Sequence, residues 1–108
     1  MVVAAHPHTG LQTVTWLFEG AIDHRDSIGT KQTISPGQLN LMTAGHGISH
    51  SELSLATSEN LHAVQLWIAL PESVRNQAPA FEHQANLPLL NLGDYQARVL
   101  VGEFAGAK

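Results

Sequence analysis

Short β-branched and aromatic runs, each closed by glycine, proline or a turn-forming cluster, are the feature that most limits what this chain can fold into. Thr13-Val14-Thr15-Trp16-Leu17-Phe18 is one such run, and Glu19-Gly20 closes it. Ala21-Ile22-Asp23-His24 alternates and stops at Asp26-Ser27-Ile28-Gly29, a cluster of turn residues. Lys31–Ile34 reads as a short strand. Ser35-Pro36-Gly37 reads as a tight turn with Pro at its first central position. Further strands are predicted over Leu39–Thr43, 48–53, 61–70 and 97–104, with a polar loop at 56–60. A period of two argues for strands. Turn signals roughly every 8–12 residues argue for an all-β sandwich or barrel. Trp16, Phe18 and Trp67 are expected to fill the core. Residues 71–96 break the pattern. Pro71, Pro79 and Pro88 punctuate them without alternation, so an extended arm or loop is expected there, with a helical turn near 72–76.

At 108 residues the chain suffices for one domain, 1–108, and not for two. No apolar run approaches the roughly 20 residues that span a bilayer. No signal-peptide pattern opens the chain. A soluble, cytoplasmic protein is the expectation. Cysteine is absent, which excludes disulfides, thiolate metal sites and a cysteine nucleophile. The formal charge is −4, and the five cations, Arg25, Lys31, Arg75, Arg98 and Lys108, are scattered. That pattern argues against direct nucleic-acid binding and against a polybasic membrane contact. No Ser-His-Asp arrangement, phosphate loop or dinucleotide fingerprint is present. Seven histidines against five Lys plus Arg is an unusual balance, and histidine is the commonest metal ligand.

Two ligand pairs stand out: His6-Pro7-His8 and His50-Ser51-Glu52. In a strand, residues i and i+2 point to one face, so each pair projects two donors the same way. Two facing strands can then surround a point with three imidazoles and one carboxylate. Such donors suit Fe, Mn, Ni, Cu or Zn, and two His with one carboxylate are typical of non-heme Fe(II) oxygenases. His6 and His8 lie near the chain start, where strands fray. Elsewhere, ordinary roles are expected. His24 is a solvent-facing strand end, with Asp23-His24-Arg25-Asp26 as an exposed turn. His46 and His83 are solvated. Met42 is an apolar cavity wall. His62 and Gln65 have opposite parity, so at most one of them faces inward.

Several stretches resemble pirins, members of the cupin superfamily. They are His6-Pro7-His8-Thr9-Gly10 with Thr13-Val14-Thr15, and Glu19-Gly20 with His24-Arg25-Asp26-Ser27-Ile28-Gly29. Pro36-Gly37 and Met42-Thr43-Ala44-Gly45-His46-Gly47-Ile48-Ser49-His50-Ser51-Glu52 follow in order. Leu61 to Pro71, and Arg98-Val99-Leu100-Val101-Gly102-Glu103-Phe104, continue the match. The resemblance implies a cupin-type β-barrel or jelly roll with one divalent transition metal, Fe(II) foremost and Mn, Ni, Cu or Zn as alternatives. It implies His6, His8, His50 and Glu52 as the ligands. It implies quercetin 2,3-dioxygenase-type activity on a flavonol-like aromatic substrate. The alternative is a non-enzymatic, metal-dependent module that binds a protein partner. Gln12 stands where pirins commonly carry Glu; it either weakens an orienting or basic role beside the metal, or merely bonds a neighbouring strand. Only the N-terminal cupin domain of a pirin is matched. The expectation is therefore a barrel open at its N-terminal edge and, because an unpaired edge invites another strand, a homodimer.

Overall fold

A computed structural model describes residues 1–55, 60–103 and 106–107. Among them are ten strands: β1 (Val2–His8), β2 (Leu11–Glu19), β3 (Ile22–Asp26), β4 (Lys31–Ile34), β5 (Leu39–Thr43), β6 (Ile48–Ser54), β7 (His62–Ala69), β8 (Ala80–Gln84), β9 (Leu89–Asn91) and β10 (Gln96–Arg98). They form two antiparallel four-stranded sheets, ordered β1-β6-β3-β4 and β7-β2-β5-β8, and a β9-β10 hairpin. This is the all-β jelly-roll architecture expected. The turns carry the expected chemistry. At Ser35-Pro36-Gly37, the Gln38 amide donates to the Ser35 carbonyl at 3.1 Å and Gly37 has φ 83°, the type II geometry that Pro-Gly favours.

The period of two decides what fills the space between the sheets. On β2, Leu11, Thr13, Thr15 and Leu17 face inward, while Val14, Trp16 and Phe18 face out. Leu17 packs with Ile22 and Ile34 in one apolar cluster, with Leu61 against it. Met42, Ala44 and Ile48 form a second cluster, with Leu11 and Phe81 against it. Between the two clusters the inward positions are polar: Thr13, Thr15, His24, Asn40, His50 and Glu52, all buried. The interior thus consists of two apolar plugs with a polar band between them. Burying such a band is costly unless its members are paired.

Several expectations are corrected by this parity and by the edge position of β7. Phe18 is 53% exposed and Trp67 64% exposed. Phe18 shares the outer face of β2 with Trp16, and every residue of the edge strand β7 is exposed. Trp16 is half-buried, with the Arg98 guanidinium 5.7 Å above its ring. His24 and Asp23 are buried rather than solvent-facing; they belong to β3, an interior strand of its sheet, and not to a turn. The stretch 71–96 is not all arm. β8 pairs with β5, aligning Met42 with Phe81, and Phe81 and His83 are its two half-buried residues. His83 Nδ1 lies 2.7 Å from Asn40 Oδ1, so it is not simply solvated. A turn at 72–76 is present, with the Arg75 amide donating to the Pro71 carbonyl at 2.9 Å. The last expected strand shortens to β10, and Phe104 lies outside the described residues, as do 56–59 of the expected polar loop.

Gly45 fastens this stretch to the sandwich. It has φ 58°, and a Cβ there would collide with the Gln77 carbonyl, which accepts from the His46 amide at 2.9 Å. Only glycine tolerates both conditions.

Candidate metal centre

β1 is the edge strand that carries His6 and His8. Its register on β6 sets His6 opposite His50 and His8 opposite Ile48, with an irregularity between Val3 and His6. That irregularity brings the Ala4 carbonyl to His6 Nδ1 at 2.7 Å. A carbonyl only accepts, so Nδ1 donates to it and Nε2 is the nitrogen turned inward.

Three imidazole nitrogens meet at one point. His6 Nε2 and His8 Nε2 are 3.0 Å apart, His8 Nε2 and His50 Nε2 3.2 Å, and His50 Nε2 and His6 Nε2 3.1 Å. The rings meet at interplanar angles of 81°, 63° and 54°, so this is convergence of edges and not stacking. Each Nε2 is either donor or acceptor, so hydrogen bonds cannot satisfy all three sides of such a triangle. A cation can. Two nitrogens about 2.1 Å from one ion stand about 3.0 Å apart at right angles and about 3.4 Å apart at the tetrahedral angle. The three separations match a right-angled face of ligands. His50 Nδ1 is buried without a hydrogen-bond partner among the described residues. The donor set and its geometry fit a transition-metal ion.

Electrostatics keep the rings ready to ligate. Burial, and then the proximity of His6, His24 and His8, push His50 down to about 4. Burial and His6 also lower His8. Neutral imidazole, the ligating form, is therefore the state of both at neutral pH.

Glu52 lies two residues beyond His50 on the same inward face and is buried. The cluster of donor atoms within 4.8 Å of one another contains the three histidines and not its carboxylate. Glu52 Oε1 is 3.7 Å from His50 Nδ1 and accepts from Gln65 Nε2 at 3.0 Å. Gln65 is the inward member of the His62/Gln65 pair; His62 stacks on Phe18, with ring centroids 4.7 Å apart.

Two features had no distinct sequence signal. Behind His50, with ring centroids 5.4 Å apart, His24 is stacked on Phe81 and bonded to Asp26 Oδ2 at 2.8 Å. Burial opposes ionisation of Asp26. Hydrogen bonds from His24 and Thr30 outweigh it and hold the carboxyl below its usual range. The second feature is a cavity of about 330 Å³ between the edge strands β1 and β7, lined by Val3, His6, Thr15, Glu52, Gln65 and Trp67 among others. The Trp67 ring meets His8 edge-on at 5.1 Å. A roomier cavity, about 420 Å³, lies on the outer face of the other sheet under 97–101. It holds no ligand-type side chain and is remote from the imidazoles.

Gln12 is outside the centre. It sits on the outer face of β2 and donates to Thr43 Oγ1 on the neighbouring strand at 3.0 Å. His46 is exposed, as expected, and Met42 is buried at 1% exposure.

A jelly roll with three converging imidazoles beside a cavity defines a cupin-type protein with a candidate metal site. The pirin family model matches residues 1–68, and the chain belongs to the pirin family. It is 45% identical over 112 residues to a pirin-like protein of Caulobacter vibrioides, covering 98% of this chain and 39% of that one. The crystal structure of quercetin 2,3-dioxygenase from Acinetobacter baumannii superposes with a TM-score of 0.96 at 52% identity, covering 99% of this chain and 36% of that one. YhhW from Escherichia coli, solved in complex with nickel(II), superposes with a TM-score of 0.67 at 35% identity, over 77% of this chain and 35% of that one. The chain thus spans well under half the length of these relatives. No helix among the described residues is long and apolar enough to cross a membrane.

Proposed function

We propose that His6, His8, His50 and Glu52 hold one divalent transition metal, Fe(II) foremost, with Mn, Ni, Cu and Zn as competitors. The centre serves a metal-dependent dioxygenase of the quercetin 2,3-dioxygenase type. The observation that carries this reading is the triangle of Nε2 atoms at 3.0–3.2 Å beside a cavity of about 330 Å³. That volume is in the range of small-molecule sites, and a sealed barrel would have favoured a regulatory module instead. When bound, the ion supplies Lewis-acid activation of a substrate oxygen, dioxygen or both. The chain's own residues provide the rest. Val3, Ile22, Leu61 and Ala63 give the cavity an apolar lining, and Trp67 offers a ring face or edge to a planar aromatic substrate. Thr15 and Gln65 offer polar atoms to its hydroxyls.

The test is flavonol turnover, followed by absorbance, in protein loaded in turn with Fe(II), Mn(II), Ni(II) and Cu(II). Loss of the flavonol band with at least one metal supports the reading. No turnover in protein proven to be loaded overturns the enzyme. It would leave the partner-binding module, in which the ion's redox state alters a protein contact. The edges of β1 and β7, unpaired among the described residues, are also read as pairing surfaces for a second copy, and a monomer by light scattering would refute that.

A further inference from the structure

Gln65 stands at a junction that the four-ligand reading does not use. Its Nε2 donates to Glu52 Oε1 at 3.0 Å and to Thr15 Oγ1 at 2.9 Å. Its Oε1 accepts from Trp67 Nε1 at 3.1 Å. The amide has only one workable orientation. An indole N–H only donates and an ionised carboxylate only accepts, so rotating the amide would oppose donor to donor and acceptor to acceptor. Trp67 therefore fixes which end of Gln65 meets Glu52. Glu52 comes from one sheet and Gln65 from the other, so this bond also ties the two sheets together beside the imidazoles.

A carboxylate with one oxygen held by a fixed donor has the other free. Resting on the metal reading above, we propose that Gln65 is a positioning residue that makes Glu52 a one-oxygen ligand. Its amide retains Oε1, and Oε2 is left to the ion. Outer-shell donors of this kind orient ligating carboxylates and are worth roughly 10- to 100-fold in metal affinity. The chain Trp67–Gln65–Glu52 also links the cavity mouth to the centre, because Trp67 lines the cavity that Gln65 and Glu52 share. An aromatic ligand that displaces Trp67 thereby loosens the amide that orients the carboxylate.

The test is titration of Ni(II) into the full chain by calorimetry, together with the visible absorption of the Co(II)-loaded protein. The variants are Gln65→Ala, Glu52→Ala, the double variant, Trp67→Phe and His50→Ala. Gln65→Ala is expected to weaken Ni(II) binding about tenfold and to change the Co(II) bands, which report the ligand set. In the Glu52→Ala background the same substitution should have no further effect, since it acts through that carboxylate. Trp67→Phe, which keeps a ring and removes the donor, should give a smaller loss of the same sign, and it tests the link even if Gln65→Ala fails to fold. An equal loss with and without Glu52, or unchanged affinity and bands in both Gln65→Ala and Trp67→Phe, overturns the proposal. The metal reading fails separately, and takes the proposal with it, if the wild type takes up no Ni(II) or if His50→Ala binds as the wild type does.

Discussion

His6 and His50 are direct cross-strand partners on β1 and β6, and their Nε2 atoms stand 3.1 Å apart. A neighbouring pair on an antiparallel ladder has Cβ atoms only about 4.5–5.5 Å apart. Two imidazoles there must meet, and the His6 Nδ1 bond to Ala4 directs how. On the proposed reading, one ion held by this pair would join the two strands.

Replacing His50 by Ala should therefore abolish metal-dependent stabilisation. An ion present at 100 times its dissociation constant raises stability by about 2.7 kcal/mol. Thermal melting with and without Ni(II) should show that gain in the wild type and almost none in the variant. Retained stabilisation in His50→Ala would remove this residue from the ligand set.

Acid should destabilise the metal-free protein in a defined window. His50 has a folded-state value of about 4, below its ordinary 6.5, so the unfolded chain binds more protons between those values. Stability is then fully present above about pH 6.5 and is lost as the pH falls toward 4. Urea unfolding at a series of pH values measures the slope. His50→Gln should flatten it. Asp26, whose carboxyl is lowered, acts in the same direction but further down, below its own usual value near 3.8.

Gln12→Glu should leave metal affinity within about twofold of the wild type, because this side chain lies on the outer face and meets Thr43. The threonine hydroxyl can donate to the new carboxylate, so stability should change by less than about 0.5 kcal/mol, as at other surface positions. A tenfold gain in Ni(II) affinity by calorimetry would show that position 12 reaches the centre after all.

Asp26→Ala should cost about 2–4 kcal/mol, since it leaves a buried His24 unpaired and removes the acceptor of two turn amides. Those amides belong to Ile28 and Thr30, at 3.1 and 3.0 Å. Urea unfolding gives the loss, and calorimetry should still find one Ni(II) per chain. Loss of the metal site along with the stability would show that His24 and Asp26 support His50 directly.

The strands and the two strand-spaced donor pairs were legible because both depend on local order. Turn residues mark where strands end, and i, i+2 spacing puts His6 with His8 and His50 with Glu52. What the sequence hid depends on partners across the sandwich. Trp16, Phe18 and Trp67 look like core by composition, yet the face of a strand is set by its neighbours, and β7 has a neighbour on one side only among the described residues. His24 reads as a solvent-facing strand end because a turn cluster beginning at Asp26 follows it. Its burial comes from Phe81, far along the chain, in a stretch whose prolines masked β8. Gln65 was identified only to the level of parity, since choosing between it and His62 requires the register of β7 on β2, which sets Gln65 opposite the inward Thr15.

The place of β1 at the rim of its sheet has a kinetic consequence. Two of the three imidazoles ride on that one strand, and both apolar clusters are built without it. Unzipping β1 from β6 would carry both of those imidazoles away together without opening either apolar cluster. If an ion is held as proposed, its residence time would be governed by how often one border strand peels away. Whatever clamps that strand acts as a lock on the metal without ever touching it.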